Sequence, residues 1–381
     1  MTRYLFCLVL LVGCPSGGDD DDTSVSGCEE LALPGTSWEL DPGGEEGQIH
    51  PRTVLSGDVL WTAYNRPDGG SSFGVFVVGH ACDGELVVPP VRVDAGDGNA
   101  TDPDLTVVGG RVIVAWQTDD GASPYNLSVR IAVLDLDGEL VSPATRVVTT
   151  DGEGAFTGQS WMARLTAEAD GAALVLVRAA GELQWQVVVQ RLDLEGAPVG
   201  ETLQVTDGLD ARFEPAVVSD GERLVVAWQE SFDGSEGFGA AVVVGNDVSP
   251  VVWPQLDAPG IGVSLSTFGG ETWAAVGRSL GVNAGTLGGE GASVPGVALA
   301  PGVAAHSGGA VVTWAEGSAA NAELFMAAVS DSGFGSAVPV ADGVGAYPAD
   351  VVALSDDVVL VTRAVGPSPT FRIEAEVLAA P

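Results

Sequence analysis

Residues 103–117, PDLTVVGGRVIVAWQ, run from Pro103 to Gln117 as two short β-branched stretches on either side of Gly109-Gly110. A glycine pair between hydrophobic runs marks a tight hairpin, because both central residues of such a turn need positive φ. Pro103 stands thirteen residues before Trp116, and the interval recurs as Pro51 to Tyr64, Pro215 to Trp228 and Pro301 to Trp314. Three further copies keep the pattern without the aromatic and end at Val177, Val276 and Thr362.

These seven positions divide the chain into units of roughly 40–60 residues, the period of a propeller blade. In the second unit, strands are expected at 105–108, 111–117 and 127–134, then near 145–150 after a turn at Asp135-Leu136-Asp137-Gly138. The third unit repeats that turn as Leu192-Asp193-Leu194-Glu195-Gly196. No stretch sustains a helical period, so the chain is expected to be all-β. The expected fold is a seven-bladed β-propeller over 36–381, with six blades as the alternative because units five and six are short. The last unit ends one strand short. The segment 36–41, TSWELD, resembles the fourth strand at 91–94, and is expected to complete that blade and remove an exposed edge.

Composition narrows the function classes. The formal net charge is -37 and every one of the fifteen basic residues is arginine. Such a chain has no basic surface for phosphate, which argues against nucleic acid and against docking on anionic head groups. Acidity of this kind keeps a protein soluble and can attract cations.

The N-terminus carries Arg3, an apolar run over 4–12, and then Leu11-Val12-Gly13-Cys14. The run is too short to span a bilayer, which takes about 20 residues, and reads as a secretory signal over 1–13. Leu-Val-Gly-Cys resembles the lipobox of bacterial lipoproteins. That resemblance implies cleavage before Cys14, lipidation of its thiol and a stable membrane anchor. Pro15 stands where an inner-membrane lipoprotein would carry Asp, so the resemblance points to a cell-envelope protein of the outer membrane. Residues 14–35 include Asp19 to Asp22 and little apolar payload, and are expected to be a disordered acidic tether. With Cys7 in the signal and Cys14 lipidated, Cys28 and Cys82 remain in an oxidising compartment. Both should lie at the seam of the ring, and a disulfide is expected, with two free thiols as the alternative.

Chemistry is less legible. His50, His80 and His306 read as residues of unrelated loops without metal-ligand spacing. The stretch 266–273, STFGGETW, resembles the Asp-box of sialidase-like propellers, but Phe268 occupies the Asp position and the likeness extends only to a hairpin. The loop containing Asp94, Asp97, Asn99 and Asp102 could hold calcium through several oxygen ligands, although Asp and Gly also suit tight turns. No other cofactor is expected. Loops on one face gather Tyr125, Trp161, Trp185, Phe213 and Phe232 among acidic residues. This mixture suits a protein or carbohydrate ligand, or else the rings plug gaps between blades.

The repeats, with their proline, aromatic and Leu-Asp-x-Asp/Glu-Gly elements, resemble bacterial lipoproteins with a seven-bladed propeller, a fold that hosts binders and enzymes alike. The first expectation is a lipid-anchored, non-enzymatic binding or scaffolding protein acting through its loop face. The alternative is a propeller glycosidase or polysaccharide lyase with paired carboxylates at the central channel, such as Glu214 and Asp104.

Overall fold

The computed structural model describes residues 28, 32–44, 46–69, 72–96, 98–119, 127–147, 159–181, 184–207, 211–232, 235–251, 253, 260–278, 281–289, 291–295, 299–317, 323–340, 350–366 and 370–381. Its strands form seven separate antiparallel sheets with strands in chain order, the last completed by a strand from the N-terminal segment. Blades 1 to 6 cover residues 49–92, 99–146, 160–204, 211–250, 260–295 and 299–339. Blade 7 combines 350–379 with 37–39.

The first strand of each blade contacts the first strand of the next, and that of blade 7 contacts that of blade 1. The ring is therefore closed, and the fold is a seven-bladed β-propeller. The six-bladed alternative is excluded.

The recurring aromatic explains why these hairpins assemble. Tyr64, Trp116, Trp228 and Trp314 all sit on second strands and are buried. Each packs in the core shared with the preceding blade: Tyr64 with Leu360 and Ile373, Trp116 with Val75 and Val77. Trp228 likewise meets Val187 and Val189, and Trp314 meets Trp273 and Ala275. Burying a large apolar side chain contributes about 1.5–3 kcal/mol, and an isolated blade would leave this face in water.

Several turns follow from sequence chemistry. Gly109 and Gly110 have φ of 56° and 73°, as the hairpin requires. A Cβ at Gly109 would lie 2.7 Å from Leu194 Cδ2, so this turn also needs glycine for the close approach of blade 3. In the Leu-Asp turns the first carboxylate caps the backbone. Asp135 Oδ1 accepts from the amides of Asp137 and Glu139 at 3.0 and 2.9 Å, and Asp193 Oδ1 accepts from Glu195 and Ala197 at 3.0 and 2.8 Å.

The closure is built as the N-terminal segment suggested. Ser37, Trp38 and Glu39 pair with Glu376, Ala375 and Glu374. Cys28 is joined to Cys82, in the turn between the third and fourth strands of blade 1, across a separation of 54 residues. Trp38 lies over Gly84 in that turn, where a Cβ would come within 2.9 Å of the indole. Packed structure thus begins within 14–35, with Cys28 and Ala32 buried in the core shared by blades 7 and 1. Asp41 then accepts a hydrogen bond from the Tyr64 hydroxyl at 2.7 Å and one from Arg66 Nη1 at 2.8 Å.

Two strand expectations need correction. The fourth strand of blade 2 is Leu140–Arg146, not 145–150, because it starts directly after the capped turn at Asp135. The first strand of that blade is Asn99–Val108 and begins six residues before Leu105, because a bulge at Asp102 interrupts the alternation that marks strands.

Candidate functional site: the upper end of the axial channel

The seven first strands surround a cavity of about 1340 Å³ on the ring axis. Six of these strands carry the same local irregularity. Register breaks fall at 49/52, 101/104, 161/164, 213/216, 260/263 and 299/302. Within each break one residue has positive φ: His50 (55°), Asp102 (50°), Met162 (53°), Glu214 (44°), Gly262 (82°) and Ala300 (48°). Five of the six are not glycine, and each costs on the order of 1–2 kcal/mol of backbone strain. A β-bulge leaves one residue without a ladder partner, and the proline following His50, Asp102, Glu214 and Ala300 fits because it has no N–H to lose.

The strained amides are supported from the neighbouring blade. The amides of Asp102, Met162 and Gly262 donate to Asn65 Oδ1, Gln117 Oε1 and Gln229 Oε1 at 3.2, 3.3 and 3.3 Å. Each acceptor directly follows the recurring aromatic position, as Tyr64-Asn65, Trp116-Gln117 and Trp228-Gln229. Blade 3 has Arg178 there, which cannot accept, and the amide of Glu214 donates instead to Met162 Sδ at 3.2 Å.

Two tiers of side chains result. The first falls at His50, Asp102, Met162 and Glu214, then Gly262 and Ala300, with Met162 packed toward Trp185 and the other five lining the cavity. The second, two residues further along each strand, holds Arg52, Asp104 and Arg164, then Ala216, Ser264 and Gly302. Blade 7 adds Asp350, whose Oδ2 accepts from the amide of Thr53 at 2.6 Å as Asp104 Oδ2 accepts from Leu165 at 2.8 Å. Charge is therefore concentrated on blades 7 and 1 to 4, while blades 5 and 6 offer small uncharged residues at both levels.

The charges are coupled. His50 Nδ1 lies 3.2 Å from Asp102 Oδ1, and Arg52 Nη1 lies 3.8 Å from Asp350 Oδ1. Burial pushes the carboxyls of Asp104 and Asp350 above the usual aspartate value, against the pull of Arg164 and Arg52 on Asp104 and of Arg52 on Asp350. Burial opposes the Arg52 charge, but Asp350, Asp104, Glu214 and Asp102 outweigh it and hold the guanidinium firmly protonated. Burial lowers His50, against the raising effect of Asp102. The end of the channel thus holds several carboxyl groups beside an imidazole and two guanidinium groups, residue types that proton-transfer chemistry uses.

Of the residues singled out by sequence, Glu214, Asp104 and Asp102 are brought together here. His50 was expected in a loop and is instead in the first strand of blade 1, lining this site. His80 and His306 also lie in strands, His80 buried beside Trp38 with its pKa lowered by burial to about 4. His306 lies toward the other end of the cavity, 3.7 Å from Asp356. Arg52, Arg164 and Asp350 were missed. The signal that could have found the first tier is the residue preceding each motif proline.

The other candidates have local roles. Trp185 is buried and stacks on Trp161 at 4.2 Å, with Phe213 tilted against Trp161 at 6.3 Å. Phe232 belongs to the second strand of blade 4, and Tyr125 lies outside the described residues, as do Asp97 and Cys14. Asp94 accepts from the Val75 and Gly96 amides and pairs with Arg92 at 2.8 Å, and Asn99 Oδ1 accepts from the amide of Phe73. Asp102 faces His50 instead of joining them. Among the described residues no group of three His, Cys, Asp or Glu side chains is placed to hold a metal ion. The 266–273 stretch forms the first hairpin of blade 5, with Phe268 about half exposed.

No family model and no curated protein matches the sequence. Solved structures do match the shape. A protein of unknown function from Dyadobacter fermentans aligns with TM-score 0.58 and 11% identity over 92% of this chain and 99% of its own. An α-L-arabinanase of Penicillium chrysogenum complexed with arabinobiose gives 0.54 and 12% over 91% and 98%. The polysaccharide lyase Uly1 gives 0.53 and 10% over 90% and 91%. Identities this low speak for the fold alone.

Proposed function

We propose that this protein is a carbohydrate-active propeller that binds a glycan at the upper end of its axial channel and hydrolyses a glycosidic bond there. The observation that carries this reading is the two-tier cluster of His50, Arg52, Asp102, Asp104, Glu214 and Asp350 lining the axial cavity. Glycoside hydrolysis needs one carboxyl in its acid form to protonate the departing oxygen and one carboxylate to take a proton from water or to attack carbon. Burial favours the acid form of Asp104, and Glu214 reaches the same cavity from blade 4. The likeness in shape to an arabinanase and a polysaccharide lyase supports a glycan as ligand.

The test is release of reducing ends from arabinan, xylan, galactan and glucan by the chain beginning at Cys28. Hydrolysis that Glu214→Gln abolishes, with binding retained, is the expected result. Binding of the same glycans with no turnover would replace this reading with that of a non-enzymatic binder. The backbone bonds that Asp104 and Asp350 accept favour that second reading, because they give both carboxylates a structural use. Lipidation at Cys14 would hold the ring at the outer membrane, and labelling with radioactive palmitate in cells, lost in Cys14→Ser, tests the anchor.

A further inference from the structure

We infer that the channel site selects uncharged sugars and rejects uronates, sialates and sulfated glycans. This deepens the reading above and rests on it. An enzyme or lectin that holds an anionic sugar needs a cation with a hydrogen-bonding edge to spare, and arginine is the residue best suited to that geometry. Two arginines line this end of the cavity, Arg52 and Arg164, and each lies beside an acidic residue of the same site. Arg52 lies 3.8 Å from Asp350. Arg164 Nη1 donates to the carbonyl of its neighbour Ala163 at 2.7 Å, and its charge acts on Asp104. Among the described residues lining this end, His50 is the other ionisable cation, and it faces Asp102 at 3.2 Å.

Against these stand four carboxyl groups, Asp102, Asp104, Glu214 and Asp350, all lining the same space. The opposite wall offers Gly262, Ser264 and Ala300, which bring no countercharge. A ligand carboxylate or sulfate entering here must displace an aspartate from an arginine or sit unpaired among like charges. Either outcome is unfavourable. Sugar hydroxyls meet no such penalty, because each can donate to a carboxylate oxygen.

The experiment is calorimetric titration of the chain beginning at Cys28 with two sets of oligosaccharides. The neutral set is arabino-, xylo-, galacto- and gluco-oligomers, and the anionic set is oligogalacturonate, oligoalginate, sialyllactose and a heparan fragment. Binding confined to the neutral set is expected, with any anionic ligand at least about tenfold weaker than the best neutral one. Asp350→Asn keeps an oxygen for the Thr53 amide but frees Arg52, and should strengthen anionic binding by about tenfold. Asp104→Asn is the parallel variant if the first is unstable. An anionic sugar that binds the native protein as well as the best neutral one overturns the inference while leaving the glycan reading intact. A protein that binds neither set loses both.

Discussion

Removing the Cys28–Cys82 bridge should lower the stability of the ring by about 4 kcal/mol. The figure comes from the loop it closes. A separation of 54 residues corresponds to a loss of unfolded-state entropy worth about 4 kcal/mol at room temperature. The structural consequence is local to the seam. The closing strand pairs through only three residues, Ser37, Trp38 and Glu39. Without the bridge, the segment carrying it must be ordered by those pairs, by Trp38 packed over Gly84 and by the bonds from Tyr64 and Arg66 to Asp41. The assay is urea unfolding followed by tryptophan fluorescence, comparing the oxidised protein with Cys28→Ser/Cys82→Ser. A loss below about 1 kcal/mol would refute the reasoning, because the tether would then not be what holds the closing strand. The denaturant slope should rise slightly, since the unbridged unfolded chain exposes more surface.

Two further outcomes follow from the channel. Gln117→Leu should cost about 1–3 kcal/mol, because the strained Met162 amide loses its acceptor, while Gln117→Glu, which retains an oxygen, should cost less; equal losses measured by urea unfolding would remove the support role of this carboxamide. The pH dependence has a definite sign. Asp104 and Asp350 have folded pKa values above the unfolded 3.8, so the folded protein holds more protons and their contribution is most favourable below 3.8. It is lost as pH rises through the raised values. Asp104→Asn should flatten that fall in stability, and an unchanged pH profile in the variant would show that Asp104 does not titrate in this window.

The extent to which the sequence discloses the site depends on the kind of residue. Pro51, Pro103, Pro215 and Pro301 with their aromatics are visible because hairpin length and blade packing impose a fixed interval. Asp104 and Glu214 can be suspected as acids beside that motif. His50 cannot be placed by alternation, because the bulge that turns it into the channel breaks the period of two on which strand reading relies. Arg52 and Asp350 lie about three hundred residues apart in the chain and meet only when the ring closes.

The chain by itself therefore determined the repeat, the all-β character and the seam, because each depends on residues close in sequence or on a period repeated along it, while ring closure decided between six and seven blades. Tertiary structure alone decided that five blades would bring their charges to one side of the channel while two left the other side small and neutral. That asymmetry is a property of the closed circle: neighbouring first strands come from units some fifty residues apart, and no local pattern records which side chains will face each other across the axis.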